Sequence, residues 1–152
     1  MGGAWLSLHL AEHYDFTRDR KFLAQRADPV MKEAAQFFLD YLVDDGKGHL
    51  VTGPSLSPEN TYRTNSGERA ALTMGPTMDN EILQELFGRL MEAGGVLKIG
   101  PDFRAKIEAA RTRLNPLKIG RWGQIQEWLE DYDECSPAIG TFRTCSRYSL
   151  AT

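Results

Sequence analysis

Long apolar runs are missing from this 152-residue chain; none approaches the roughly eighteen residues of a membrane-spanning helix. The start, MGGAWLSLHL, has no basic region ahead of an apolar one, so it shows neither a membrane anchor nor a secretory signal. Leu6 stands where N-myristoylation wants Ser or Thr, with Ser7 one place late. Basic runs are also missing and the formal net charge is −3. The phosphate-neutralising patch that nucleic-acid binding requires is therefore lacking, and no nucleic-acid partner is expected. There is no glycine-rich phosphate loop after a strand and no serine-centred nucleophile elbow. Cysteine is scarce: Cys135 and Cys145 both lie near the C-terminal end, and no structural disulfide is expected.

What is present is a globular composition, 41% hydrophobic and 26% charged, at the length of one ordinary domain. From Ala4 to Phe16, Trp5, His9 and Tyr14, or Leu6, Leu10 and His13, recur at helical spacing and predict a largely buried helix. Thr17 is placed to cap a short second helix through Phe22 and Leu23. Asp28-Pro29 then offers an N-cap and a proline at the first helical position. Val30, Ala34, Phe37, Phe38, Tyr41 and Leu42 predict one apolar face on the helix that follows, ended by Asp44-Asp45-Gly46. Thr77 caps a helix striped by Met78, Ile82, Leu86 and Leu90 and stopped by Gly94-Gly95. The next runs from Asp102 to Leu114, striped by Phe103, Ile107 and Ala110. His49 to Thr52 reads as a brief strand, Tyr62 to Thr73 as an irregular polar excursion, and 117–120 with 124–128 as a small hairpin about Arg121-Trp122-Gly123.

Four constellations could carry chemistry. Gly53-Pro54-Ser55-Leu56-Ser57-Pro58-Glu59-Asn60 is too polar and proline-broken for core, and its two prolines stiffen it into a loop able to hold the Glu59 carboxyl over a cleft. The residues alone favour a plainer reading, with Ser57 capping a helix that Pro58 begins. His9-Leu10-Ala11-Glu12-His13 has the H-x-x-E-H spacing of inverted zinc metallopeptidases, with Glu81 or Glu85 as candidate third ligands; core or substrate-contacting histidines are the better reading, and no metal is expected. The acidic clusters Asp44-Asp45 and Glu130 to Glu134 read as solvated faces or turns. Trp122 and Trp128 either stack on a sugar or plug a core, and the core reading is favoured for both.

Five blocks, in order, make a more specific pattern: Met1-Gly2-Gly3-Ala4-Trp5-Leu6; His9-Leu10 with Glu12-His13-Tyr14; Pro54-Ser55 with Ser57-Pro58-Glu59-Asn60; Gly75-Pro76-Thr77-Met78-Asp79; and Gln124-Ile125-Gln126-Glu127-Trp128. Together they resemble glycoside hydrolase family 95 over residues 1 to about 134. The family is typified by 1,2-α-L-fucosidases, with some members acting on α-L-galactosides. The resemblance implies an all-α fold, part of an (α/α)6 barrel of alternating inner and outer helices, with short β-hairpin excursions. It also implies an inverting hydrolysis without a cofactor, in which Glu59 matches the general acid and must stay protonated near neutral pH. Trp5 and His9 would line the sugar pocket, with Asn60 and Asp79 near the acid. The expected partner is an oligosaccharide bearing terminal α-L-fucose or a related L-sugar.

The departures from the family pattern set further expectations. The family holds its water with an Asn-x-Asn pair upstream of Gly-Gly-Ala-Trp and an aspartate in a downstream Asp-Gly-Asn-Phe-Gly block, and this sequence contains neither. Met1 matches an internal methionine of the family. After Glu134 the family continues Gly-His-Arg-His-Val-Ser-His-Leu, whereas Ala138 to Cys145 differ. Back-translation of 138–152 with a one-base shift can yield GHRHVSHLLALFPGD, which suggests a frameshift near Glu134. The expected organisation is thus a catalytic-domain fragment over 1–134, inactive alone, and an aberrant tail over 135–152. Some five helices would leave barrel faces open and make the isolated chain prone to associate. The residues leave localisation open; a secreted or periplasmic parent is compatible with them. Two rival readings remain: a non-catalytic helical carbohydrate-binding or scaffold remnant, and a zinc peptidase on His9, Glu12 and His13.

Overall fold

The computed structural model describes residues 1–58, 60–64 and 66–135. Glu59, Cys145 and the stretch from residue 136 on, which holds most of the expected aberrant tail, lie outside the described residues. Helices take up about half of the described positions, and every strand is two residues long. The chain divides into two compact units: Met1–Thr52 with Asp79–Asn115, and Gly53–Met78 with the chain from Pro116 onward.

The first unit is helical. Helix α1 (Gly2–Thr17) ends where Arg18 takes a left-handed conformation and returns its N–H to the Tyr14 carbonyl at 2.8 Å. Thr17 does not cap the next helix; its hydroxyl donates back to the His13 carbonyl at 2.9 Å. Asp19 caps α2 (Arg20–Phe22) instead, accepting from the Lys21 and Phe22 amides at 2.8 and 3.0 Å. Asp28 is likewise no cap, because the chain stays helical through a π turn, Leu23–Ala27, into α3 (Asp28–Tyr41). Proline inside a helix lacks an N–H and crowds the carbonyl four residues back, and a turn widened immediately before Pro29 makes room for the ring. Asp28 is buried and pairs with Lys32 at 2.7 Å.

The core of this unit joins Ala4, Leu8 and Ala11 of α1, Leu23 and Ala27 of the π turn, and Met31, Ala35 and Phe38 of α3. To these, α4 (Thr77–Leu97) adds Ile82, Leu83, Leu86, Phe87, Leu90 and Ala93, and α5 (Pro101–Thr112) adds Ile107 and Ala110. The expected stripe of α3 holds at Phe38, which is buried, and at Ala34, Tyr41 and Leu42, which pack against the core; Val30 and Phe37 are exposed, Phe37 at 58%, and Met31 and Ala35 face inward in their place. On α1 the alanine face packs and the larger Trp5 and Leu6 do not, so that helix is only partly buried. Alanines at the contacts let helix axes approach closely. The stripe of α5 stands as expected, and that of α4 is buried except at Met78.

Gly94-Gly95 does not stop α4, which continues to Leu97. Gly94 serves packing: a Cβ there would fall 2.5 Å from Cδ of Arg104. The helix ends before Lys98, which takes a left-handed conformation with φ of 56°, and Gly100, with φ of 62°, precedes Pro101 at the start of the next helix. Strands β1 (Val43–Asp44) and β2 (Leu50–Val51) pair antiparallel, Val43 opposite Val51. Their connecting turn is held by the Asp45 carboxylate, which accepts from the Lys47 and His49 amides at 2.7 and 3.0 Å. Asp44 binds Arg113 at 2.6 Å. This acidic pair is structural, as the sequence suggests.

In the second unit, β3 (Ser55–Leu56) pairs with β6 (Leu72–Thr73), and β4 (Tyr62–Arg63) lies between β5 (Arg69–Ala70) and β7 (Asp133–Glu134), all antiparallel. The stretch from Tyr62 to Thr73 is therefore strand-built rather than irregular; strands this short carry no readable alternation. The hairpin about Gly123 forms, with the Gly120 amide donating to the Gln124 carbonyl at 2.7 Å and that of Gln126 to Lys118 at 2.9 Å. The two tryptophans part company. Trp122 at the hairpin tip is 80% exposed, against the core reading, whereas Trp128 is 2% exposed, its ring 5.3 Å from Tyr62, which stacks on Tyr132 at 4.4 Å.

The packing predicts a contrast in the first unit. Phe87→Ala removes a side chain with no exposure and is expected to lower the unfolding free energy by about 3–5 kcal/mol. Asp19→Ala, which loses only a cap, should cost about 1 kcal/mol. Urea unfolding of the two variants measures both, and equal losses would contradict this core.

Candidate active site

No helix follows Ser57-Pro58, so the capping reading fails and the hydroxyl is used elsewhere. Ser57 is buried and donates to Oε1 of Glu127. Asn60, 3% exposed, donates through Nδ2 to the other oxygen, Oε2, of the same carboxylate at 3.0 Å. The Asn60 amide is oriented by its own carbonyl oxygen, which accepts from the Thr61 N–H at 2.8 Å. Glu127 is 8% exposed. A carboxylate buried to that degree requires a donor for each oxygen, and Ser57 and Asn60 supply them.

Glu127 is itself held from behind. Its main-chain carbonyl accepts from the Thr77 amide at 3.0 Å, and the Thr77 hydroxyl donates to the Gln126 carbonyl at 2.5 Å. Three of the blocks picked out in the sequence, those containing Ser57, Thr77 and Glu127, thus meet within one unit. Glu59 lies outside the described residues, and in the chain it stands between the two residues that Glu127 grips. Sequence reasoning gave Glu127 no role. The available cue was that it stands among Ile125, Trp128 and Leu129 rather than within the acidic run from Glu130.

The other candidates fall as follows. Trp5 and His9, one turn apart on α1, have ring centroids 5.8 Å apart and are both exposed. His9 Nδ1 also lies 3.4 Å from Glu12 Oε2. Asp79 is buried and accepts the Thr52 hydroxyl at 2.7 Å. Trp5, His9 and Asp79 belong to the helical unit and Asn60 to the second. The H-x-x-E-H residues do not gather as a ligand set: the His13 ring packs 4.3 Å from that of Phe22, and Glu85 is paired with Arg89 at 2.7 Å. Among the described residues no three His, Cys, Asp or Glu side chains converge as a metal would require.

Glu134 reaches the same Asn60 Nδ2 at 3.5 Å. Burial pushes its carboxyl up from the ordinary 4.5, the Asn60 hydrogen bond works against that, and the neighbouring Glu127 charge adds to it, for a net rise. The folded chain therefore favours the protonated form. That stabilisation is fully present below 4.5 and is lost as pH rises through the higher folded value. Glu134→Gln, which cannot ionise, should gain in stability on the unsubstituted chain between about pH 4 and 7. Urea midpoints across that range check it, and a difference independent of pH would show that Glu134 is not the responsible group.

Residues 1–144 match the glycosyl hydrolase family 95 catalytic domain. Alpha-L-fucosidase 2 of Arabidopsis thaliana is 37% identical over 135 residues, which are 88% of this chain and 16% of the relative. Probable alpha-fucosidase A of Aspergillus niger is 35% identical over 137 residues, 86% of this chain and again 16% of the relative. The chain thus spans about a sixth of the length of the curated relatives it matches. By the extent of these matches it belongs to glycosyl hydrolase family 95, as a part of the catalytic domain.

Proposed function

We propose that this chain is a segment of an inverting α-L-fucosidase that releases terminal α-L-fucosyl, or α-L-galactosyl, residues from oligosaccharides, with Glu59 as the general acid. The observation that carries the reading is the buried Glu127 carboxylate gripping Ser57 and Asn60, one on each side of Glu59 in the chain. A general acid has to meet the leaving oxygen at hydrogen-bond distance and fixed angle, which a loop tied down on both flanks favours. Family membership and the names of the two fucosidase relatives support the sugar class. Trp5, His9, Asn60 and Asp79 are the residues we assign to substrate binding.

The exposed Leu6, Phe16, Val30 and Phe37 fit a helical domain, in this reading an (α/α)6 barrel, whose remaining helices cover them. Inversion needs a base on the far face of the sugar to activate water. The Asn-x-Asn and Asp-Gly-Asn-Phe-Gly blocks that would hold that water are absent from these 152 residues. The 152 residues by themselves should therefore not turn over substrate. We read the tail beyond Glu134 as shifted in frame.

The test has two parts. Sequencing the locus should find both water-holding blocks flanking this segment, joined to it in one frame after repair of one base; flanks without them would leave Glu59 without a base and favour a non-catalytic scaffold. In the complete enzyme, Glu59→Gln should lower kcat by about 10²–10⁴-fold while circular dichroism and ligand binding hold. Proton NMR of the unsubstituted enzyme should show the inverted β-anomer as the first product. Unchanged turnover in Glu59→Gln, or release of the α-anomer first, would overturn the assignment.

A further inference from the structure

We propose that Glu127 is a positioning residue for this acid: its buried carboxylate ties together the residues on either side of Glu59 and so fixes the loop that presents it. The inference rests on Glu59 being the general acid. Ser57 precedes Glu59 by two residues and Asn60 follows it by one, so one carboxylate binds both flanks, one oxygen to each.

Its strength comes from how little freedom each member keeps. A glutamate side chain alone is a soft anchor, but this one starts from a main chain fixed to Thr77 and is followed by the buried Trp128. The Asn60 amide cannot turn over without losing its bond from the Thr61 N–H. Both partners donate, which suits a group whose two oxygens only accept. A glutamine in the same place could still serve, accepting from Asn60 through its oxygen and donating through its amide to the Ser57 hydroxyl. An alanine would release both flanks.

The readout is leaving-group dependence, since a displaced acid hurts most where the departing oxygen needs a proton. In the complete enzyme, Glu127→Ala should lower kcat on a fucosylated oligosaccharide by about a hundredfold, the scale of a 1 Å misplacement, with KM changed by less than about threefold. On an aryl α-L-fucoside with an acidic phenol, which departs unprotonated, the loss should stay below about fivefold. Glu127→Gln should restore the oligosaccharide rate to within about tenfold of the unsubstituted enzyme. Should Glu127→Ala fail to fold, Ser57→Ala removes one tie only and should show the same asymmetry with a loss of about tenfold.

Glu59→Gln, assayed on both substrates, separates the two levels of the argument. If it shows the asymmetry while Glu127→Ala or Ser57→Ala loses equally on both substrates, the positioning role is overturned and the acid stands. If Glu59→Gln shows no asymmetry, the acid assignment falls and this inference falls with it.

Discussion

A carboxylate removed from water must find donors for both of its oxygens or bear the full cost of its desolvation. At Glu127 that requirement governs the second unit. Its strands are two residues long, so their ladders contribute few hydrogen bonds, and much of the tertiary order has to come from side chains. Ser57, Asn60 and Thr77 meet through the carboxylate and main chain of one residue and its immediate predecessor. The aromatic cluster of Tyr62, Trp128 and Tyr132 sits beside it. Trp128 follows Glu127 directly and Tyr62 follows Asn60 by two, so apolar packing and the polar tie reinforce one another along the same two chain segments.

The helical unit follows a different rule, in which small residues decide what packs. Ala4, Ala11, Ala27 and Ala35 occupy contact positions, and the bulkier Trp5, Leu6 and Phe37 stand outside. Close approach of helices favours alanine at the crossing, with the large side chains needed for volume coming from α4, whose Leu83, Leu86 and Phe87 are fully or almost fully buried. Gly94 carries the same logic further, giving up a side chain so that Arg104 can lie against α4.

Much of this was readable in advance. Helix positions were, because stripes such as Ile107, Ala110 and Leu114 repeat at the helical period, and the hairpin about Gly123 was, because the turn residues announce it. The buried faces of α4 and α5 were legible too, and those of α1 and α3 were not. Adjacent apolar stripes on α1 and α3 are equivalent to a periodicity rule, and only the partner helix selects between Phe37 and Met31. Thr17 and Asp19 are both good capping residues two positions apart, so the sequence does not separate them, and the chain turn at Arg18 gives the cap of α2 to Asp19. At the site, proline stiffness marked the Ser57 loop as special, but its partner Glu127 lies seventy positions away in sequence. No local rule connects them.

The Asn60 amide faces two neighbouring glutamates, Glu127 and Glu134. Its carbonyl oxygen is committed to Thr61, so only the Nδ2 hydrogens face the carboxyl groups. Glu127 takes the shorter bond at 3.0 Å and has Ser57 as well, while Glu134 is left with 3.5 Å, the outer limit of a hydrogen bond. Burial first, and the neighbouring Glu127 charge with it, oppose the ionisation of Glu134, and its long bond from Asn60 offsets them only in part. That cost falls on β7, a two-residue strand away from the Ser57 loop in sequence. The tie between Ser57 and Asn60 keeps a donor for each Glu127 oxygen, and the cost of placing two acids together falls on Glu134, opposite Tyr62 in the ladder.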